Sequence, residues 1–161
     1  MSRFQYLFIF IVVQLLSSCS VIEEKPVGPP TLLETNQLEA WRLSDSEKRI
    51  TSSNRAISQL LQQADELMAA ANFEQASDKL ERLVRIEPQF AQAWSRLSWM
   101  ALKNGDAQRS QQLAQRSNSY SRDNNKLKIL NWNFIKQAGE LLQSVELVEQ
   151  AEQMIKALGG E

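Results

Sequence analysis

Residues 93–118, which read AWSRLSWMALKNGDAQRSQQLAQRSN, decide the fold of this chain. Four of their side chains recur at positions i, i+3, i+4 and i+7, which is one face of a helix: Trp94, Leu97, Ser98 and Ala101. Gly105 and Asp106 then supply a residue without a side chain and a polar turn residue. The stretch therefore predicts two helices joined by a tight turn.

The turn of this stretch has a counterpart on each side of it in the sequence. Ala71 opens the stretch ANFEQA, Gly105 opens GDAQRS and Gly139 opens GELLQS, and successive stretches begin 34 residues apart. A 34-residue period is the signature of tetratricopeptide (TPR) repeats, each of which is a pair of helices. We therefore predict an all-α TPR-type solenoid at residues 54–158, with repeats at about 57–90, 91–124 and 125–158.

The repeat register assigns a core to this solenoid. Small residues such as Ala64, Ala76 and Ser98 let two paired helices approach closely, while larger residues fill the seam to the next pair. The predicted core consists of Leu60, Ala64, Leu67, Ala76, Leu80, Trp94, Leu97, Ser98, Ala101, Gly105 and Gly139.

The third repeat is degenerate at Lys128, Asn131 and Trp132, and two structures are open for it. Apolar residues recur there every seven positions, as in one long helix: Leu127, Phe134, Leu141, Val148 and Ile155. The alignment of Gly139 with Gly105 favours a helix pair instead. In either case we expect this end to cap two clear repeats.

Residues 1–18 are predicted to be a signal peptide, because Arg3 precedes an apolar run at residues 4–16. A helix of these 13 residues would span about 20 Å, which is too short for a hydrocarbon core of about 30 Å. A permanent membrane span is therefore the weaker interpretation of this segment.

The sequence LSSC at residues 16–19 resembles the lipobox of bacterial lipoproteins. The resemblance implies that Cys19 is acylated and becomes the first residue of the mature protein. It also implies, because Ser20 follows, that the covalent lipid anchors the chain on the periplasmic face of the outer membrane. The alternative is an ordinary signal peptide cleaved near Ser18, which would leave a free thiol.

Residues 19–53 are predicted to be a flexible linker between this anchor and the solenoid. Three prolines and a glycine at residues 26–30 disfavour regular structure. Ser44 followed by Glu47 is the pattern of a capping box, so a short helix is possible after it. Trp41 either docks on the folded domain or waits for a partner.

TPR solenoids bind partners on a surface made by the first helix of each repeat, and we call this surface the groove face. On it, Trp99 and Leu102 are neighbours outside the core stripe, and tryptophan is enriched at binding hot spots. The alternative is that Trp99 packs under the third repeat or under the linker. Candidate contact residues are Trp99, Leu102, Leu61, Met68, Lys103 and Asn133, and the same register also places Asp65, Gln92, Ser95, Lys126, Ile129 and Lys136 on the groove face.

The composition argues against several classes of function. The chain has no histidine, one cysteine and a formal net charge of −1, so the usual general base, metal-binding cysteine pairs and a broad basic field for nucleic acid are all lacking. We therefore expect a binding protein that is not an enzyme, holds no metal and carries no cofactor beyond the lipid on Cys19.

Three stretches of the predicted domain resemble a family of lipoproteins: LERLVRIEP at residues 80–88, residues 93–118, and NWNFI at residues 131–135. They resemble TPR outer-membrane lipoproteins of gammaproteobacteria that activate class A penicillin-binding proteins, the bifunctional peptidoglycan synthases. The chain departs from the TPR pattern at Arg122, where a closing proline is expected.

The resemblance implies that the protein binds such a synthase and favours its active conformation, with Trp99, Leu102 and Trp41 as contacts. An alternative function is assembly of an outer-membrane complex, as a secretin pilotin or an accessory of barrel insertion. A glycan binder or an enzyme is a more remote alternative.

Overall fold

A computed structural model describes residues 39–160 of the chain. The predicted signal peptide, Cys19 and the linker up to residue 38 lie outside the described residues. Within residues 39–160 no helix has both the length and the apolar character that crossing a membrane requires.

From Asp45 onward the described chain is helical and contains no strand, so the all-α prediction is confirmed. Three consecutive helix pairs follow a short first helix, and connections of three or four residues make neighbours run antiparallel. The helices are α1 (Asp45–Ser53), α2 (Arg55–Ala69), α3 (Phe73–Ile86), α4 (Ala91–Lys103), α5 (Ala107–Tyr120), α6 (Asn125–Leu141) and α7 (Val145–Ala157).

The first helix of each pair ends in the same hydrogen-bonded turn. Ala71, Gly105 and Gln143 each follow the helix cap with a positive φ, of 57°, 76° and 55°. The amide after each of them donates to a carbonyl five residues earlier, for example from Asp106 to Ala101 at 2.9 Å. This is the Schellman motif, which satisfies carbonyls that the helix end leaves without a partner.

The third repeat is a helix pair within the predicted bounds, but its turn does not lie at Gly139, where the 34-residue spacing placed it. Gly139 lies inside α6 rather than at the turn, and Gln143 takes the position that Gly105 has in the second pair. The first helix of the third pair is 17 residues long against 13 for α4, which is about one extra turn. Gly139 instead allows close packing, since a Cβ there would lie 3.0 Å from Val148 Cγ2 on α7.

Small side chains lie where the paired helices approach each other. Ala64 on α2 and Ala76 on α3 are fully buried. In the second pair Ser98 occupies the corresponding place, and its hydroxyl donates to the Ser110 carbonyl at 2.8 Å. Because each buried hydroxyl has a partner, the serines give close approach without an unsatisfied polar group.

The other residues of the predicted core lie mostly in the interior. Leu60, Leu80, Leu97 and Ala101 are buried, and Leu67 is partly buried against the same cluster. Trp94 is also only partly buried. Its indole donates to the Pro88 carbonyl at 2.8 Å, and the Arg116 guanidinium lies 4.4 Å from its ring centroid. Gly105 is exposed, because its role is in the turn.

The folded part of the chain begins earlier than residue 54, which the sequence interpretation took as its start. Residues 39–44 pack on α4, and α1 follows them directly, so the linker boundary at residue 53 is wrong. The physical reason is Trp41, whose side chain is 4% exposed in the main hydrophobic cluster.

Candidate partner-binding groove

Residues 39–44, which we call the Trp41 turn, cover the groove face at helix α4. The Trp41 indole Nε1 donates to Ser95 Oγ over 2.9 Å, and both side chains are buried. A buried indole N–H needs such an acceptor, since leaving it unpaired costs about 1–3 kcal/mol. The bond joins residues 54 positions apart in the chain, so it fixes the turn on the domain.

An aromatic cluster holds the Trp41 ring from several sides. The rings of Trp41 and Trp99 meet edge to face with centroids 6.0 Å apart, and Phe73 meets Trp99 in the same way at 5.3 Å. The Arg96 guanidinium lies 4.9 Å from the Trp41 ring centroid. Such aromatic pairs add about 0.5–1.5 kcal/mol each beyond the area they bury, so the ring is the main attachment of the turn.

Gln92 binds the backbone of the Trp41 turn. Its side chain is fully buried, and Nε2 donates to the carbonyls of Arg42 at 2.9 Å and Ala40 at 3.4 Å. The backbone N–H of Gln92 donates to Glu47 Oε1 at 3.2 Å. Gln92, at the start of α4, therefore binds two backbone carbonyls of the Trp41 turn and also the Glu47 carboxylate at the start of α1.

Glu47 couples this contact to the start of helix α1. The capping box that the sequence predicted is present: the Ser44 amide donates to Glu47 Oε2 at 3.0 Å, and the Glu47 amide donates to Ser44 Oγ at 3.3 Å. Since the other carboxylate oxygen accepts from Gln92, the same side chain caps α1 and docks it on α4.

Arg96 lies beneath the Trp41 ring and is 5% exposed. Its Nε donates to Asp65 Oδ1 on α2 at 2.8 Å, and Nη1 donates to Gln92 Oε1 at 3.1 Å. A buried guanidinium without a carboxylate would be costly, so Asp65 is what permits a charge at this depth. The pair also joins α2 to α4.

An ion pair closes the outer end of the Trp41 turn. Glu39 accepts a hydrogen bond from the Lys126 ammonium on α6, and this hydrogen bond, with the lysine charge, lowers the pKa of the Glu39 carboxyl. Both side chains are more than half exposed, so water and salt screen the pair and its contribution to stability is small.

The Trp41 turn leaves a cleft on each side of it. One, of about 510 Å³, has Leu61, Gln62 and Asp65 of α2 on its wall. The other, of about 860 Å³, lies between the turn and the α5–α6 connection, and carries both signs of charge from Arg42, Arg122 and Asp123 among others. Partly open surface therefore borders the turn at α2 and at the α5–α6 connection.

The predicted contact residues lie at different depths. Trp99 is 3% exposed and is covered by Trp41, which matches the alternative that it packs under the linker. Leu61 and Met68 are buried, and Leu102 is partly buried against the core. As it stands, the groove face offers a partner little of these four side chains.

The remaining two candidates are more accessible. Lys103 is exposed, and its ammonium lies 5.5 Å from the Trp99 ring centroid. Asn133 is partly buried, and its Nδ2 donates to the Ile129 carbonyl one turn earlier in α6. Lys103 is therefore the predicted contact residue that a partner can reach directly.

The sequence places Gln92 and Ser95 on the groove face, but it did not show that they bind the Trp41 turn. The role of Arg96 in this contact was also missed. The available signal was the set of polar side chains in the apolar first half of α4. Gln92, Ser95 and Arg96 are all buried there, and buried polar groups need partners. Trp41, with a free indole N–H in a polar segment, was the available partner.

A second accessible surface lies at the connection between α6 and α7. Leu141 and Val145 are 59% and 70% exposed there, and Leu142 between them is also exposed. These three exposed aliphatic residues form a small apolar patch, which is a second candidate contact surface.

No group of three or more potential metal-ligating side chains occurs in the part of the chain that the structure describes.

No protein-family model matches the chain, and the search of curated proteins found no match. Among solved structures, the chain is similar to the globular C-terminal domain of P. aeruginosa LpoP, with 29% sequence identity and a TM-score of 0.58. The match covers 64% of this chain and 97% of that chain. The similarity confirms the predicted resemblance at the level of the helical domain.

Proposed function

We propose that the protein is a lipid-anchored lipoprotein of the outer membrane whose helical domain binds a class A penicillin-binding protein in the periplasm and activates it. The observation that carries the proposal is the similarity to the LpoP domain, which extends over 97% of that chain. The lipobox-like sequence at residues 16–19 supports the anchor. The combination describes a binding module carried on a tether.

Activation in this proposal is a shift of a conformational equilibrium in the synthase. A ligand favours one conformation only by as much as it binds that conformation more tightly. A tenfold preference for the active form corresponds to about 1.4 kcal/mol, which one or two good contacts supply. The domain needs no catalytic group of its own for this effect.

The order of residues 39–53 limits how far the domain extends from its anchor. Glu39 is 20 residue steps after Cys19, which span at most about 70 Å. The linker predicted from sequence, up to Asn54, spans 35 residues and at most about 115–125 Å. While the Trp41 turn is docked, the partner must therefore present its site nearer to the outer membrane.

The proposal is tested with the mature chain from residue 19 on, carrying Cys19→Ser so that no lipid is attached. We expect it to bind a purified class A penicillin-binding protein and to raise its rate of glycan polymerisation. Lys103→Glu, on the groove face, should weaken the stimulation several-fold. Lys156→Glu makes the same charge change on α7, outside the groove face, and should leave it unchanged.

Absence of both binding and stimulation at any concentration would refute this function. Equal loss from Lys103→Glu and Lys156→Glu would leave the activator function intact but would assign the effect to overall charge rather than to the groove face.

A further inference from the structure

The surface under the Trp41 turn has the composition of a binding site rather than of a permanent core. The residues of α4 that touch the turn include Gln92, Ser95 and Arg96, and each uses a polar group in the contact. Interiors that never open are mostly apolar, because buried polar groups bring little net stability. Polar side chains that pair with main-chain carbonyls and an indole N–H are what peptide recognition requires.

Removal of the Trp41 turn would expose polar groups that water can solvate. Gln92 and Ser95 would exchange their bonds for hydrogen bonds to water, and Arg96 would keep its ion pair with Asp65. Trp99 would be uncovered, and Phe73 would still pack against it. The opened surface would therefore present polar groups beside one large aromatic ring, which is the mixed character of a binding site.

The attachment of the turn is also narrow. Trp41 and Ala40 are its buried apolar residues, and Glu47 is the buried residue of α1. Leu43 and Ile50 are only partly buried against the same cluster. A single residue, Asn54, connects α1 to α2, and its backbone is extended with φ −127° and ψ 98°. A change of dihedral angles at this point would swing residues 39–53 away while the three helix pairs keep their own contacts.

We propose that the surface of α4 beneath the Trp41 turn is a binding site for a tryptophan-bearing segment of the protein partner, and that Trp41 occupies it in the unbound protein as an intramolecular competitor. The inference rests on the proposed function only for the identity of that partner.

The contacts of the turn specify the chemistry of the segment. The segment needs an indole. The indole N–H would donate to Ser95 Oγ, and the ring would fit between Trp99 and Arg96. The preceding residue must be small, since Ala40 is buried, and an acidic residue before that would pair with Lys126. Carbonyls on both sides of the tryptophan bind Gln92.

Competition lowers the apparent affinity of the site for the partner. When the binding-competent state is populated to a fraction f, the apparent dissociation constant is the intrinsic constant divided by f. A docked Trp41 keeps f small, so a change that weakens docking tightens binding in trans. This is the opposite of what loss of a true contact residue does.

The first test uses a fluorescently labelled peptide of residues 37–47, QLEAWRLSDSE, as the probe. Its binding to the mature Cys19→Ser chain is measured by fluorescence anisotropy, with Trp41 intact and with Trp41→Ala in the protein. We expect Trp41→Ala to bind the peptide at least about tenfold more tightly. The same peptide with its tryptophan replaced by alanine should bind neither protein.

Two serines of α4 provide a test variant and its matched control. Adding Ser95→Ala to the Trp41→Ala protein should reverse most of the gain in affinity, because the indole N–H loses its acceptor. Adding Ser98→Ala should not, because the Ser98 hydroxyl bonds to Ser110 within the helix pair. Equal peptide affinity of wild type and Trp41→Ala, or no binding to either, would overturn the inference.

The second test separates this inference from the proposed function. If both hold, Trp41→Ala should stimulate the synthase at a lower concentration than wild type, and excess peptide should reduce the stimulation. Stimulation by both proteins at the same concentration, unaffected by peptide, overturns the inference and keeps the function. No stimulation by either protein refutes the function, and the peptide test then decides the inference alone.

Discussion

Gln143 shows what a single backbone angle costs in this fold. It holds a φ of 55° so that the Ser144 amide can reach the Gly139 carbonyl at 2.9 Å and close the turn between α6 and α7. For a residue with a Cβ the left-handed region costs about 1–2 kcal/mol, whereas glycine enters it freely. Gly105 has this advantage in the second helix pair, and Ala71 and Gln143 do not.

We therefore expect Gln143→Gly to stabilise the domain by about 0.5–1 kcal/mol, after subtracting the extra entropy that glycine loses on folding. The side chain of Gln143 is exposed, so its removal costs no core packing. Urea unfolding, followed by circular dichroism, measures the difference. Gly105→Ala is the control and should destabilise by at least about 1 kcal/mol. A lower midpoint for Gln143→Gly would contradict this explanation.

At the scale of helices, the first two pairs were predictable and the third only in part. The periodic positions of α4 and the 34-residue spacing of Ala71 and Gly105 follow from contacts inside one repeat, which a local pattern records. Gly139 follows the 34-residue spacing but does not form the turn between the helices, because α6 continues past it. A glycine inside a helix costs only about 1 kcal/mol of helix stability. The close packing of Gly139 against α7 offsets that cost.

Docking of the Trp41 turn was one of two possibilities that the sequence left open, because its contacts are distant in sequence. Trp41 lies in a polar stretch without apolar periodicity, and its partners Ser95 and Trp99 are more than fifty residues away. The capping box of Ser44 and Glu47 is a local pattern and was predictable. That the Glu47 carboxylate would also accept from α4 was not.

The close approach of α6 and α7 at Gly139 gives a prediction for this helix pair. Gly139→Ala should destabilise the domain by about 1–2 kcal/mol, because the added Cβ would lie 3.0 Å from Val148 Cγ2, and this crowding exceeds the gain in helix propensity. Combined with Val148→Ala, which removes that methyl group, the penalty should shrink by at least about 0.5 kcal/mol. Urea unfolding of the four proteins in this double-mutant cycle measures the coupling. Additive effects would mean that Val148 is not the obstacle.

At the scale of the whole molecule, pH and salt act on the link between the N-terminal residues and the last helix pair. Lys126 lowers the pKa of Glu39 below its ordinary value near 4.5. A lowered carboxyl pKa in the folded state means that the Glu39 contribution is complete above that ordinary value and is lost as the pH falls through the lower folded value. High salt screens the same contribution at neutral pH.

Docking of the Trp41 turn should accordingly be stronger in wild type than in Glu39→Gln at neutral pH and low salt. The difference should vanish as the pH falls well below 4.5 or as salt is raised. Near-ultraviolet circular dichroism follows the Trp41 and Trp99 pair and so reports docking. A difference that persists unchanged in acid would show that Glu39 acts without its charge.

The place where the turn attaches also decides how the molecule bears mechanical load. In a protein held at Cys19 and gripped by a partner on its helix pairs, tension along the chain reaches Glu39 and Trp41 before it reaches α2. The few contacts of residues 39–53 would give way first and lengthen the tether from 20 to 35 residues while the helix pairs stay folded. Under the proposed anchoring, a pull between membrane and partner would favour the undocked state of Trp41, in addition to any partner segment that competes for its site.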